Sequence, residues 1–200
     1  MKLFFDTEFT GLHKNTTLIS IGIVSEDGRK FYAELTDYDK NQCNDWIKEH
    51  VLSNLLLGGM EAGKRAILDD PLIVMAKGDS KYVSQELNTW LSQFDEIQFI
   101  SDVCHYDFVL LIDLITNGGT AFDLPENISP VCHDINTDIA LCFGSSESEA
   151  FDRSREDIME HFCGEEDIVK GVKHNSMYDA EVIRAIWQVI LKRLGMIMGL

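Results

Sequence analysis

Three strand-like stretches follow one another within the first 35 residues, and they limit the fold more than any other feature. Residues 2–6 open the chain in "KLFFDTEF", residues 18–24 form the near-continuous apolar run "LISIGIV", and residues 30–35 read "KFYAEL". Between the last two, Asp27-Gly28 is a hairpin turn signal. The expected start is therefore an antiparallel meander of three strands.

Helical periodicity takes over afterwards. "NDWIKEHVLSNLL" places Ile47, Val51 and Leu55 at i, i+4, i+8, and "SKYVSQELNTWLSQF" places Val83, Leu87, Trp90, Leu91 and Phe94 on one stripe, with Asp79 or Ser80 as N-cap. "IQFIS" (97–101) reads as a short buried strand and "YDFVLLIDLI" as a helix. A loop over "NGGTAFDLPENISP" leads to a strand near 130–135 and a short helix ending near Cys142. The polar stretch 144–154 reads as mobile. The closing segment carries Ile183, Ile186, Trp187, Ile190 and Leu194 on one helical face. A meander followed by alternating units predicts an α/β fold with a mixed sheet and helices packed on it. The 200 residues suit one domain, 1–200.

The net charge of −17 argues against a nucleic-acid binder that works through a broad basic face, though not against one that grips phosphate through bound cations. The longest apolar runs are too short to span a bilayer, and the N-terminus shows no secretory signal, so the expected compartment is the cytosol (cytoplasmic), with no membrane partner. Five cysteines without a CxxC pair fit reduced thiols. Cys104-His105 and Cys132-His133 suggest zinc, but adjacent strand residues point to opposite faces and rarely reach one ion. "GGMEAGKR" (58–65) is one residue from a phosphate-binding P-loop; Arg65 occupies the position of the Mg²⁺-binding hydroxyl, and the preceding residues read as helix. The expectation there is a loop between helices.

Asp6 and Glu8 sit inside the first apolar stretch. Strand side chains alternate, so the two face the same side about 7 Å apart along the strand. They either show to solvent on an edge strand or need a cation, because paired carboxylates near a core repel. Phe4, Phe5 and Phe9 favour a central strand whose charged end emerges into a cleft. Two further acidic stretches stand out. In "ISDVCHYDFVLL", Asp107 lies at a strand–helix junction with Asp102 five residues earlier. In "KHNSMYDAEVIRAIWQ", His174 precedes the last helix and Asp179 falls in its first turn.

"FFDTEFTGL" with "LISIGIV", "SDVCHYDFVLL" and "HNSMYDA" resemble, in order and spacing, the three motifs of the DEDD 3′→5′ exonucleases. The H-x-x-x-x-D form of the third marks the DEDDh branch, alongside oligoribonuclease and ribonuclease T. "DWIKEHVLSNL" is most similar to a small bacterial and phage subgroup described as 3′→5′ exoribonuclease-like. The resemblance implies a ribonuclease H-like fold, a mixed sheet with three antiparallel strands first and helices on both faces. It implies that Asp6, Glu8, Asp107 and Asp179 hold metal, with Asp102 the alternative to Asp107. A second H-x-x-x-x-D runs from His133 to Asp138; the family pattern, with its histidine just before the terminal helix, favours His174 and Asp179.

Two Mg²⁺ or Mn²⁺ ions would activate water and stabilise the transferred phosphate, and hard carboxylate oxygens suit them. His174 would be the general base. Thr7, Phe9, Thr10 and Leu12 are implied to wrap the 3′-terminal nucleotide, although Phe9 reads equally as core. The implied substrate is the 3′ end of single-stranded RNA or DNA, RNA preferred. A homo-oligomer is compatible with the sequence. The alternative is a non-catalytic nucleic-acid-binding module that keeps the fold.

Overall fold

The computed structural model describes residues 1–68, 73–164 and 168–198. Among these, seven strands form one mixed sheet: β1 (Lys2–Phe9), β2 (Leu18–Ser25), β3 (Lys30–Leu35), β4 (Lys64–Ile67), β5 (Ile73–Gly78), β6 (Gln98–Ser101) and β7 (His133–Asp134), in the spatial order β4-β5-β3-β2-β1-β6-β7. The expected meander is present, since β1 pairs antiparallel with β2 and β2 with β3. β6 joins β1 in parallel, which places β1 in the interior of the sheet, as its phenylalanines suggested.

Among the described residues, seven α-helices accompany the sheet: α1 (Asp45–His50), α2 (Ser80–Leu91), α3 (Cys104–Thr116), α4 (Ile135–Phe143), α5 (Glu147–Asp152), α6 (Arg155–Phe162) and α7 (Ser176–Met198). They cover both faces because β2 is buried at every position and needs apolar cover on each side. On one face Leu3, Phe5 and Phe31 pack with Val83, Leu87 and Leu111 of α2 and α3. On the other, Phe4 and Ile100 pack with Ile139, Ile183, Ile186 and Ile190, and the rings of Phe4 and Trp187 lie 6.1 Å apart. Burying each such side chain contributes about 2–3 kcal/mol. The expected stripe on the last helix is therefore its core face; the Leu194 side chain lies outside the described residues.

Four local expectations change. The helix expected over 44–56 stops at His50 and continues as a 3-10 turn at Leu52–Asn54. There the Ser53 hydroxyl donates to the Glu49 carbonyl and the Asn54 amide to the His50 carbonyl, in competition with the helix ladder. The stretch 58–65 is no loop between helices, because Lys64 opens β4, which pairs antiparallel with β5. The strand near 130–135 shrinks to two residues beside β6. Residues 144–154, expected to be mobile, contain α5, held by a reciprocal capping box between Ser146 and Glu149. None of the described helices is long and apolar enough to cross a membrane.

One close approach positions the last helix. Gly22 pairs with Asp6 in the β1–β2 ladder. A Cβ on Gly22 would stand 2.3 Å from the Ser176 carbonyl oxygen, so only glycine lets the first turn of α7 rest on the sheet there. The hydroxyls of Ser20 and Ser176, both buried, meet at 3.0 Å beside it. Asp179, in that first turn, is thereby carried to Asp6.

Candidate active site

The three acidic stretches converge on a cleft of about 730 Å³. Asp6 and Glu8 project from the end of β1, where the ladder to β2 slips between Glu8 and Phe9; such irregularities re-aim side chains at sheet rims. Asp6, Glu8 and Asp179 each offer an oxygen within 4.8 Å of the others, and Asp6, Asp102 and Asp107 do the same. Asp6 belongs to both sets, so the two are contiguous. Five oxygen donors of one charge sign in that space fit divalent cations such as Mg²⁺ or Mn²⁺.

Asp107 is held from both sides in the first turn of α3. Ser101 Oγ donates to its Oδ2 and Thr7 Oγ1 to its Oδ1, each at 2.6 Å, and the side chain is buried. Burial pushes Asp107 up to about 7, against the lowering effect of those two hydroxyls. Asp179 rises to about 7 through burial and then the Asp102 charge. Glu8 rises to about 9 through burial, then Asp179 and Asp107. Asp6, at the centre, is raised well above the usual carboxylate range by burial and by all four neighbouring acids. A set of acids this reluctant to ionise together is short of positive charge.

His174 borders the same cleft in a left-handed conformation (φ 62°), with Nδ1 4.0 Å from Glu8 Oε1. Two asparagines hold its loop: Asn54 Nδ2 donates to the Lys173 carbonyl at 3.0 Å, and Asn175 Nδ2 to the Asn54 carbonyl at 2.8 Å. Burial, then Lys173 and His50, lower its pKa below the ordinary histidine value. The competing pair is elsewhere: His133 Nε2 meets Asp138 Oδ2 at 2.5 Å, against the edge of Trp187, and neither lines the cleft.

Of the four residues implied to wrap substrate, three line the cleft. Thr7 does so with its hydroxyl engaged on Asp107, Phe9 with its ring stacked on Tyr106 at 5.4 Å, and Leu12 with 74% exposure. Thr10 does not. Its hydroxyl is buried among Gln42, Thr16 and Thr17, where it pins the β1–β2 connection, so its side chain is closed to a ligand. Sequence reasoning missed Trp46, which stands edge-on to His174 at 5.0 Å and lines the cleft. The signal was there: Trp46 lies off the Ile47/Val51/Leu55 stripe, leaving a large exposed aromatic without a core role. It also missed Lys173 and Arg155, which line the cleft too.

The fold is a ribonuclease H-like one, and the cleft it positions is acidic. A solved structure from Neurospora crassa, the Pan2 catalytic unit with its protease and nuclease domains, shares this fold at a TM-score of 0.52 and 14% identity, covering 99% of this chain and 28% of that one. Over residues 1–191 the chain matches the 3′-5′ exoribonuclease Rv2179c-like domain, and it belongs to that family. Two curated relatives, the 3′-5′ exoribonucleases Rv2179c and MT2234.1 from two Mycobacterium tuberculosis strains, are 46% identical over 55 residues. That match spans 28% of this chain and about a third, 33%, of the relatives' length.

Proposed function

We propose that this chain is a divalent-metal-dependent 3′→5′ exoribonuclease that removes nucleoside monophosphates from the 3′ end of single-stranded RNA. One observation carries the reading: carboxylates from β1, α3 and α7, far apart in sequence, converge with Asp102 of the β6–α3 turn into two contiguous acidic clusters that share Asp6. Family membership supports the direction of cleavage and the choice of RNA.

In this reading Asp6, Glu8, Asp107 and Asp179 hold two Mg²⁺ or Mn²⁺ ions. Bound there, the ions supply Lewis acidity toward the phosphate and lower the pKa of water. Thr7 and Ser101 keep the Asp107 oxygens aimed at the cleft, the outer-shell role that ligating carboxylates require. His174 accepts the proton of the attacking water at Nδ1, the ring nitrogen toward Glu8. Its lowered pKa keeps it neutral, and so basic, at physiological pH. Phe9, Leu12 and Trp46 offer apolar walls to the terminal nucleoside.

The test uses single-stranded RNA and DNA of matched sequence, labelled at the 5′ end, with Mg²⁺, Mn²⁺ or EDTA. A stepwise ladder on RNA that disappears with EDTA and in Asp107→Ala, while the circular dichroism spectrum is kept, is the expected result. Full activity in EDTA or in Asp107→Ala overturns it. RNA binding without any ladder would favour the binding module instead.

A further inference from the structure

Asp102 stands among the candidate ligands, yet its carboxylate already has a partner. Arg155, the first residue of α6, donates from Nε to Asp102 Oδ2 at 2.8 Å and from Nη2 to Asn136 Oδ1 at 2.7 Å. Asn136 closes the triangle by donating to the Asp102 backbone carbonyl at 2.8 Å. Nη1 donates to the carbonyls of Ala150 and Arg153 at 2.9 and 3.0 Å. Both members of the ion pair are largely buried, with side-chain exposures of 13% and 15%.

Four of the five N–H groups of Arg155 are thus engaged within the protein. An arginine that grips a phosphate does so with two parallel donors, and Arg155 has one left. Its place in the cleft wall needs another reason, and charge provides it. Asp6, Glu8, Asp107 and Asp179, when ionised, match the charge of two divalent cations. Asp102 adds a fifth carboxylate, with an oxygen within 4.8 Å of those of Asp6 and Asp107. Arg155 offsets that extra charge and draws the carboxylate toward α6.

We propose that Arg155 is a charge-balancing positioning residue, which keeps Asp102 beside the candidate metal centre as a fifth, non-ligating carboxylate and so sets how tightly the centre binds divalent cations. The proposal rests on the metal-site reading above, and Asp107→Ala tests that reading separately. A mere structural brace would change stability alone; a charge balance must also change metal affinity, and in opposite directions for its two members.

The experiment measures Mn²⁺ binding by calorimetry, and thermal melts without metal, on the full chain and on Arg155→Met, Asp102→Asn, their double variant and Asp107→Ala. Arg155→Met leaves Asp102 uncompensated, so Mn²⁺ binding tightens by about tenfold while the metal-free melting temperature falls. Asp102→Asn leaves Arg155 uncompensated; it still binds Mn²⁺, several-fold more weakly. The double variant returns to the wild-type affinity. Unchanged affinity in both single variants overturns the proposal, as does loss of Mn²⁺ binding in Asp102→Asn to the extent seen in Asp107→Ala. Should Arg155→Met fail to fold, Asp102→Asn and the double variant still decide: weakening in the first and recovery in the second are both required. A wild-type chain that binds no Mn²⁺ overturns the metal-site reading and this proposal with it, whereas wild-type binding lost in Asp107→Ala leaves a negative result on Arg155 to count against the proposal alone.

Discussion

Thr7 Oγ1 donates to Asp107 Oδ1 at 2.6 Å, joining the end of the first strand to a helix one hundred residues later. Thr7 lies one residue from each of two acids, so the bond ties the first and second acidic stretches into one rigid unit. Thr7→Val keeps the shape and removes the donor. Cleavage should fall about 10–100-fold with the melting temperature little changed, and Thr7→Ser should restore most of it. RNA trimming rates in Mn²⁺ check this; full activity in the valine variant would leave Ser101 alone to orient Asp107.

Gly22→Ala probes the seat of α7. The added methyl meets the Ser176 backbone, so either the helix start or the strand must shift. Overpacking of this kind costs about 1–3 kcal/mol. Denaturant midpoints should drop accordingly. Mn²⁺ affinity should drop as well, because Asp179 rides on the displaced turn, whereas alanine elsewhere on β2 would affect stability only.

Metal-free protein should lose stability as pH rises. Glu8 at about 9, Asp107 and Asp179 at about 7, and Asp6 well above its ordinary value all titrate higher in the folded chain than in the unfolded one. Between the unfolded carboxylate range near pH 4 and about pH 9 the folded state therefore binds more protons, and its stability declines through that window. Mn²⁺ should reverse the decline, with a larger gain in melting temperature at pH 8 than at pH 5. Glu8→Gln should flatten the alkaline part of the metal-free curve.

If His174 is the general base proposed above, its ionisation should set the acid limb of the rate profile. Its lowered pKa means that, with Mn²⁺ saturating, activity should hold down to below about pH 6.5, the ordinary histidine value, before falling. His174→Ala should be slower by about 10²–10⁴-fold and should lack that limb. The same variant made at His133, which is engaged with Asp138, should keep it.

Periodic and apolar segments were readable from sequence: the meander, α2, β6, α3 and α7 all follow from spacing, and the three acidic stretches meet as their resemblance to the exonuclease motifs implied. The misses have local causes. β4 is a short edge strand whose Lys64, Arg65 and Ile67 are exposed, so it carries no burial pattern to read. α5 was passed over because its composition is polar, although Ser146 and Glu149 spell a capping box. Thr10 lies next to cleft residues in sequence, and only the folded connection turns its hydroxyl inward. The Asp102–Arg155 pair spans 53 positions, from the β6–α3 turn to the first residue of α6, and no periodicity links such residues.

The acids and the histidine are mounted differently. Asp6 and Glu8 are built into an interior strand, while His174 hangs between the start of α7 and a short surface turn that Asn54 ties to it. Gentle warming or dilute denaturant should slacken that hinge before the sheet yields. On the proposed function, the protein would then pass through a stage that still collects ions yet has lost its proton acceptor, so that activity goes silent well before the fold unravels.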